Sequence, residues 1–227
     1  RPPRSTLFPY TTLFRSSVCP HFGQCGGCTY QNLPYEEQLA MKNEQVKKMM
    51  DEAVDGEYIW EGIKPSPVRT EYRNKMEFTF GDEYKDGPLA LGLHKRDGFY
   101  DIVSVSNCWI ADGDFMSILA CTLEWAAQSG LPYYHRSSHK GYFRHLLVRK
   151  AAKTGEILAA LVTASGGAET RCVEAEREAE ILKQWTERLL ALKLNGKISG
   201  ILHTVNNSAA DAVKDEGTAV LYGQAYF

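Results

Sequence analysis

Short stretches in which apolar and polar residues alternate predict β-strands along much of the chain. In the segment MEFTF, Met76, Phe78 and Phe80 share one face of a strand, and the residues between them are polar. The segment LALGL, residues 89–93, alternates in the same way after the turn-rich sequence GDEYKDGP. These two strands are therefore predicted to form a hairpin.

Further segments have the composition of strands. Residues 99–105 (FYDIVSV) follow the first hairpin, and residues 144–150 and 156–163 are joined by the turn sequence AAKTG. Residues 198–207 (ISGILHTVNN) form another apolar run with a polar end. Because neighbouring strands are joined by short turns, we expect mainly antiparallel pairing.

Apolar residues recur at helical spacing in longer segments. Residues 35–51 predict an amphipathic helix, and Lys64–Thr70 (KPSPVRT) follows as a linker with two prolines. Asp112 can cap a second helix that runs to about Gln128, and residues 168–192 predict a third. The apolar stripe of the first helix consists of Tyr35, Leu39, the stem of Lys42, Val46 and Met49.

Antiparallel hairpins separated by helices predict an α+β fold. We expect a mainly antiparallel sheet with flanking helices and an N-terminal loop that carries clustered cysteines. The chain of 227 residues is long enough for a sizeable core. Its formal net charge of −2 means that contact with a nucleic acid or a membrane must come from local patches.

The composition also predicts a compartment. The sequence contains no apolar run long enough to span a bilayer, and no signal peptide is recognisable. We therefore expect a cytoplasmic protein without membrane contact. Thiols stay reduced in the cytoplasm, so clustered cysteines there indicate a metal more often than disulfides.

The segment CPHFGQCGGCTYQ places Cys19, Cys25 and Cys28 at the spacing C-x5-C-x2-C. The two glycines between the last pair let the backbone turn, so that the thiolates can reach one metal centre. Cys108 is the best fourth ligand, because it lies in a turn at the end of a strand. Cys121 and Cys172 fall within predicted helices and are expected to be ordinary thiols. His21 is a nitrogen alternative.

Two kinds of metal centre remain open on this pattern. Zinc prefers four cysteine or histidine ligands, usually supplied by two paired knuckles. A [4Fe–4S] cluster is held by four cysteines, commonly three local ones and one that is remote in sequence. Only one C-x2-C pair is present, so the spacing favours the cluster over zinc.

Basic and aromatic residues are interleaved in three stretches that could contact RNA, around Tyr72, at a strand end near residue 95, and over residues 135–150. The last stretch holds five Lys or Arg residues, three His residues and no acid. Cations bind phosphates and flat side chains stack on bases, so we expect these stretches as a set to contact RNA, whereas for any single cation solvated surface is the better interpretation. The candidate RNA-binding residues are Arg69, Arg73, Lys75, His94, Lys95 and Arg96.

The motifs, in their order along the chain, resemble those of the RNA uracil-5-methyltransferases. The matching segments are CPHFGQCGGCTYQ, the YEEQL helix, YRNKMEF, LGLHKRDGFYDIVSVSNC and RHLLVRKAAKTGEILAALVT. The resemblance covers nearly all of residues 19–227. It implies a parent enzyme that uses S-adenosylmethionine to methylate C5 of uridine, in 23S rRNA or, for some relatives, in tRNA.

The resemblance also assigns residues. It implies that Cys19, Cys25, Cys28 and Cys108 bind a [4Fe–4S] cluster and that the YRNK and HKR segments face RNA. In the family, a Rossmann-like domain binds S-adenosylmethionine and supplies a catalytic cysteine, which adds to C6, and a general-base glutamate. No such motif is visible here, so we assign no catalytic residue. We expect this piece to be a monomer without methyltransferase activity.

Both ends of the sequence bear on its domain organisation. The string TLFPYTTLFRS matches the translation of a common sequencing adapter, so we expect residues 1–16 to be an artefact. The chain ends within a strand-like pattern, VLYGQAYF, and we expect truncation at both ends. We divide the remainder into an iron–sulfur loop (17–32), an amphipathic helix and linker (33–64), and a central α+β RNA-recognition domain (65–227), with the C-terminal methyltransferase domain absent.

Two other functions compete with a piece of an RNA methyltransferase. The chain could be a complete, non-enzymatic RNA-binding module that holds zinc or an iron–sulfur cluster. It could also be an electron-transfer protein, which is disfavoured because the sequence contains no recognisable partner motif. Methyl transfer to uracil needs no electron, so we expect the cluster to be structural.

Overall fold

The computed structural model describes residues 19–98, 100–165, 173–209 and 213–227. The adapter-like string and Cys172 lie outside these residues. The helices are α1 (Tyr35–Ala53), α2 (Gly113–Ser129) and α3 (Ala175–Leu190). The strands are β1 (Lys75–Asp82), β2 (Leu89–His94), β3 (Ile102–Ser104), β4 (Phe143–Lys150), β5 (Glu156–Thr163), β6 (Lys197–Val205) and β7 (Thr218–Gly223).

The described strands form one sheet in the order β3-β2-β1-β4-β5-β6-β7. Neighbouring strands are antiparallel except for β5 and β6, which run parallel. This parallel pair exists because α3 connects the two strands and returns the chain to the same end of the sheet. The predicted α+β class with a mainly antiparallel sheet is confirmed.

Helices α2 and α3 cover one face of the sheet and share its core. The rings of Phe80 and Phe143 stack with their centroids 4.9 Å apart, and Trp125 meets Phe143 edge-on at 5.4 Å. The indole of Trp185 in α3 lies 5.8 Å from that of Trp125 in α2 and donates a 3.0 Å hydrogen bond to Thr122. These contacts place the core between the sheet and the two helices.

The opposite side of the sheet, here called the second face, carries polar side chains at its centre. Phe78 and Leu146 are paired across β1 and β4 and both belong to the core. The next pair along these strands, Thr79 and His145, therefore points to the second face. Thr79 Oγ1 and His145 Nδ1 are 3.4 Å apart there.

Helix α1 stands apart from this core. It has the predicted position, but none of its residues is buried. Its first residue, Tyr35, accepts a 2.7 Å hydrogen bond from the amide of Ser66 in the following linker. Val46 is 44% exposed and Met49 is 60% exposed. The predicted apolar stripe is therefore formed, but its Val46 and Met49 end is not covered by the described residues.

Among the differences between the observed and the predicted element boundaries, two concern β3 and the start of α3. The third strand covers only Ile102–Ser104 instead of residues 99–105. Helix α3 begins at Ala175, after an extended Glu174. The prediction of a helix from residue 168 onward is therefore wrong for residues 173 and 174, which are not helical. The N-cap prediction is confirmed, since Asp112 accepts a 2.9 Å hydrogen bond from the amide of Asp114.

Among the described residues, no helix has the length and hydropathy of a membrane span.

Candidate functional site

The three clustered cysteines lie on an irregular loop that is coiled by short-range hydrogen bonds. The amide of Phe22 donates to the carbonyl of Cys19 at 3.2 Å, and the amide of Cys25 donates to the carbonyl of His21 at 2.9 Å. Gly23 has a φ of +89°, which suits a residue without a side chain. These turns bring Cys19 and Cys25 to the same side of the loop, where both line one cavity.

The cysteine loop is docked on the end of β2 and the turn that follows it. The amide of Gly26 donates to the carbonyl of His94 at 2.9 Å, and the amide of Arg96 donates to the carbonyl of Gln24 at 2.6 Å. The guanidinium of Arg96 donates to the carbonyl of Cys28. The HKR segment therefore serves as the support of the loop.

Cys108 reaches the loop from the segment that follows β3. The amide of Ser106 donates to His21 Nε2 at 3.2 Å, which ties this segment to the cysteine loop. On its other side, the amides of Glu71 and Arg73 donate to the carbonyls of Trp109 and Ile110 at 2.8 and 2.9 Å. Cys108 is thus held between two anchored stretches of backbone.

The structure brings all four predicted cluster ligands to one small cavity of about 20 Å³. Apolar side chains complete its wall, among them Leu93, Val105 and Ile110. The five described cysteines are free thiols, and Cys121, which lies in α2, is not among the lining residues. No group of three His, Cys, Asp or Glu residues within the described ranges meets the geometry of a site for one metal ion.

The sulfur atoms influence one another electrostatically. Burial raises the pKa of the Cys25 thiol, and Cys108 and Cys19 raise it further. The amide of Gly27, which donates to Cys25 Sγ at 3.3 Å, and the charge of Arg96 act in the opposite direction. Burial and the same neighbours raise the pKa of Cys28, while Arg73 lowers it. Thiolates packed in this way repel one another unless a cationic centre binds them.

The six predicted RNA-binding residues are distributed over different parts of the surface. Arg73 and Arg96 lie beside the cysteine loop. Arg69 forms a 3.0 Å ion pair with Glu36 of α1, and its guanidinium carbon lies 4.5 Å from the centroid of the Tyr35 ring. The other three lie near β1 and β2: Lys75 pairs with Glu77 at 3.8 Å, Lys95 pairs with Asp101 at 3.3 Å, and His94 Nε2 lies 3.3 Å from Arg136 Nη2.

His94 also lines a second cavity, of about 430 Å³, above the second face of the sheet. We call it the sheet-face cavity. The strands contribute residues 79–82, Ile102, Arg144 and His145, and the remaining wall comes from the β1–β2 turn and residues 100, 101 and 133–137. Besides His94 and His145, the wall residues with aromatic or charged side chains are Phe80, Asp82, Lys85, Asp86, Tyr100, Asp101, Tyr133, Tyr134, His135, Arg136 and Arg144.

Sequence reasoning missed most of this cavity. It singled out the basic stretch at residues 135–150 but neither Tyr133 and Tyr134, which precede it, nor Asp82 at the end of β1. Burial and a hydrogen bond to Asp82 raise the pKa of Tyr133, so its hydroxyl remains a donor. The segment PYYHR, in which aromatic and basic residues are adjacent, was the available signal.

Comparisons with known proteins place the chain in a family. An uncharacterized RNA methyltransferase of Caldanaerobacter subterraneus subsp. tengcongensis is 42% identical over 214 residues, which are 92% of this chain and 44% of that protein. One from Clostridium acetobutylicum is 43% identical over 208 residues, again 92% of this chain and 43% of the relative. The chain belongs to this RNA methyltransferase family. The family assignment made from the motifs is thereby confirmed.

A solved structure shares the fold of this family member. It is the tRNA (uracil-54, C5)-methyltransferase of Pyrococcus abyssi in complex with S-adenosyl-L-homocysteine, with a TM-score of 0.62 and 21% sequence identity. The match covers 95% of this chain and 44% of the archaeal one. The chain thus spans less than half the length of the relatives that it matches. No protein-family model matches it.

Proposed function

We propose that the chain is the iron–sulfur and RNA-recognition region of an enzyme that methylates C5 of uridine in RNA. Membership of the RNA methyltransferase family supports an RNA substrate. The shared fold with a uracil-C5 methyltransferase supports uridine C5 as the methylated position. We favour 23S rRNA as the substrate, with tRNA as the alternative, and a monomer in the cytoplasm.

One observation carries the iron–sulfur part of the proposal. Three cysteines from the N-terminal loop and Cys108, which follows β3, line the same cavity. Four cysteines are the donor set of a [4Fe–4S] cluster, in which each thiolate binds a different iron. Its ligands therefore need not converge on one point, as those of a tetrahedral zinc ion must.

The four cysteines are chemically suited to bind such a cluster. The loop that carries three of them must move to make room for it. The cavity of about 20 Å³ is smaller than the cluster, so the loop of residues 19–28 would move outward on binding. This loop is held by turns and by a few hydrogen bonds to β2 and the following turn, which makes the movement feasible. The amide of Gly27 already donates to Cys25 Sγ, as amides around cluster sulfurs do.

We propose a structural role for the cluster. Its ligands join the N-terminal loop to the segment after β3, across the end of β2. Bound thiolates would fix His94, Lys95 and Arg96, whose backbone carries the loop. The cluster would then position the basic residues that surround it for contact with RNA phosphates.

We assign the methyl-transfer chemistry to residues outside this sequence. The relatives extend well beyond the matched region, and we propose that this remainder binds S-adenosylmethionine and supplies the catalytic residues. In this proposal, residues 65–227 are the central RNA-recognition domain of the larger enzyme. The chain alone is then inactive toward a uridine-containing RNA.

Metal analysis of anaerobically purified protein tests the proposal. Iron, acid-labile sulfide and zinc are counted per chain in the unchanged protein, in Cys108→Ser and in Cys121→Ser. Cys121 is the matched control, because it is a half-buried thiol that does not line the cavity. We expect four irons and four sulfides in the unchanged protein and in Cys121→Ser, as a [4Fe–4S] cluster requires.

We expect Cys108→Ser to lose most of its iron. Full iron in Cys108→Ser would refute the assignment of the fourth ligand. One zinc without sulfide in the unchanged protein would favour the zinc RNA-binding module and would contradict the cluster.

A further inference from the structure

We propose that the sheet-face cavity binds one nucleobase of a single-stranded RNA segment. The inference rests on the proposed function, which makes RNA the ligand, and it adds the place where a base is held. The sheet-face cavity has a volume of about 430 Å³, which lies within the range of small-molecule sites.

Aromatic rings give the cavity surfaces on which a base can stack. The ring of Tyr134 lies under the guanidinium of Arg144 at 4.2 Å, and the Tyr134 hydroxyl is 3.1 Å from His139 Nδ1. Arg144 is itself fixed, because its Nη1 donates to the carbonyls of Asn206 and Ser208 at 2.8 and 2.7 Å. The ring is therefore held in place before a ligand arrives, which lowers the entropic cost of stacking.

A second platform stands beside the first. The rings of Tyr133 and His135 are 4.1 Å apart, at an interplanar angle of 38°. The hydroxyl of Tyr133 is bound to Asp82, whose carboxylate also accepts the amide of Asp86 at 3.0 Å. Flat side chains with fixed orientation are the usual means by which proteins hold unpaired RNA bases.

The polar groups of the cavity suit the edge of a base better than a free anion. The wall includes the carboxylates of Asp82, Asp86 and Asp101 as well as the cations Lys85 and Arg136. Three carboxylates disfavour a free phosphate inside the cavity. Carboxylate, hydroxyl and imidazole groups together can pair with the donors and acceptors of a base edge. Lys85 and Arg136 add positive charge at the wall, which favours the phosphates of the same strand.

One residue, His94, contacts both the sheet-face cavity and the cysteine loop. The imidazole of His94 lines the cavity and contacts Arg136, while the carbonyl of the same residue accepts the amide of Gly26. A base bound in the cavity would therefore be held in a defined position relative to the four cysteines. This arrangement allows one strand of RNA to contact both the cavity and the basic residues near the loop.

Equilibrium binding of a short, fluorescein-labelled, single-stranded RNA to the full chain tests the proposal. The variant Tyr134→Leu removes the stacking ring but keeps apolar bulk. Tyr226→Leu is the matched control, since Tyr226 is exposed and does not line the cavity. We expect about tenfold weaker binding for Tyr134→Leu, in line with the loss of one stacked base. Tyr226→Leu should bind like the unchanged protein.

Circular dichroism establishes whether Tyr134→Leu is folded. If this variant is unfolded, Arg136→Gln takes its place in the binding comparison. Unchanged RNA affinity in the folded variant would overturn the cavity proposal and leave the proposed function intact. Absence of RNA binding by the unchanged protein would overturn both. Photo-crosslinking with 4-thiouridine RNA gives the location: a crosslink within residues 133–136 supports the cavity, and crosslinks confined to other segments overturn it.

Discussion

The guanidinium of Arg96 donates a hydrogen bond to the carbonyl of Cys28, a residue 68 positions earlier in the chain. The same guanidinium lies 5.9 Å from the centroid of the Phe22 ring. Its Nε is buried and has no hydrogen-bond partner among the described residues. Arg96, which the sequence indicated as an RNA contact, thus clamps the cysteine loop onto the turn after β2.

Replacing Arg96 by leucine should loosen the cysteine loop. The lost hydrogen bond from a charged donor increases the population of the open loop, so Cys25 and Cys28 should be alkylated about tenfold faster. The measurement is mass-spectrometric counting of labelled cysteines over time, in metal-free protein under reducing conditions. Lys95→Met is the control, because it keeps the backbone contacts of residue 95 and removes a side-chain ammonium that pairs with Asp101 at the surface. Equal alkylation rates in Arg96→Leu and the unchanged protein would contradict the clamp.

Replacing Gly92 by alanine should disrupt the pairing of β2 with β3. A Cβ at this position would lie 1.9 Å from the carbonyl oxygen of Val103, and that backbone atom cannot move without breaking the pair. We expect a loss of at least about 2 kcal/mol in the free energy of unfolding, measured by urea denaturation. Gly113→Ala serves for comparison, since its Cβ would meet open space and should change stability by less than about 0.5 kcal/mol. Similar stability of the two variants would show that β3 is not firmly paired.

Replacing Asp114 by alanine should destabilise the protein near neutral pH. The buried carboxylate accepts hydrogen bonds from Lys150 Nζ at 2.8 Å and from the amides of Asn195 and Gly196 at 2.7 and 2.8 Å. Its loss should cost about 3 kcal/mol of unfolding free energy. The matched control is Asp51→Ala, because the Lys47–Asp51 pair lies on the surface and should contribute little.

The effect of Asp114 should depend on pH in a defined direction. Burial by itself raises the pKa of this carboxyl, but the hydrogen bonds from Lys150, Asn195 and Gly196 outweigh it and lower the pKa below the ordinary value of 3.8. Stability from a lowered carboxyl pKa is present above that value and is lost as the pH falls through the folded-state pKa. The difference between the unchanged protein and Asp114→Ala should therefore shrink below pH 3.8. A constant difference down to lower pH would contradict this origin.

Polar substitutions in the stripe of α1 should leave the stability of this chain unchanged. Val46 and Met49 are exposed, so Val46→Ser and Met49→Ser should each shift the unfolding free energy by less than about 0.5 kcal/mol. Leu182→Ser in α3 is the contrasting variant, because Leu182 is buried in the core and its substitution should cost several times more. A large loss in Val46→Ser would mean that α1 is packed in solution.

Much of the fold could be predicted because the relevant signals are local. Alternation of apolar residues identified β1, where Met76, Phe78 and Phe80 are all buried. The parallel pairing of β5 and β6 was not predicted, because the turn signals along the chain describe only hairpins. The start of α3 at Ala175 was missed because Glu174, whose backbone is extended, is by its sequence equally compatible with a helix.

The site was predictable to a different degree in its two parts. The spacing of Cys19, Cys25 and Cys28 indicated a metal-binding loop, and the strand-end position of Cys108 indicated a fourth ligand. The structure places the four together, and their binding of a cluster stays a prediction. The roles of the basic residues could not be inferred, because the partner of Arg96 is a backbone carbonyl that no sequence pattern announces.

The sequence by itself determined the strand and helix periodicity, the cysteine spacing and the family of this protein, because these depend on neighbouring residues and their order. Only the tertiary structure decided which distant groups meet. The sheet-face cavity combines residues from β1, β4 and three separate turns, and such a cavity depends on strand order and on the path of each loop. Those are set by the packing of the whole core, which periodicity along one segment does not encode.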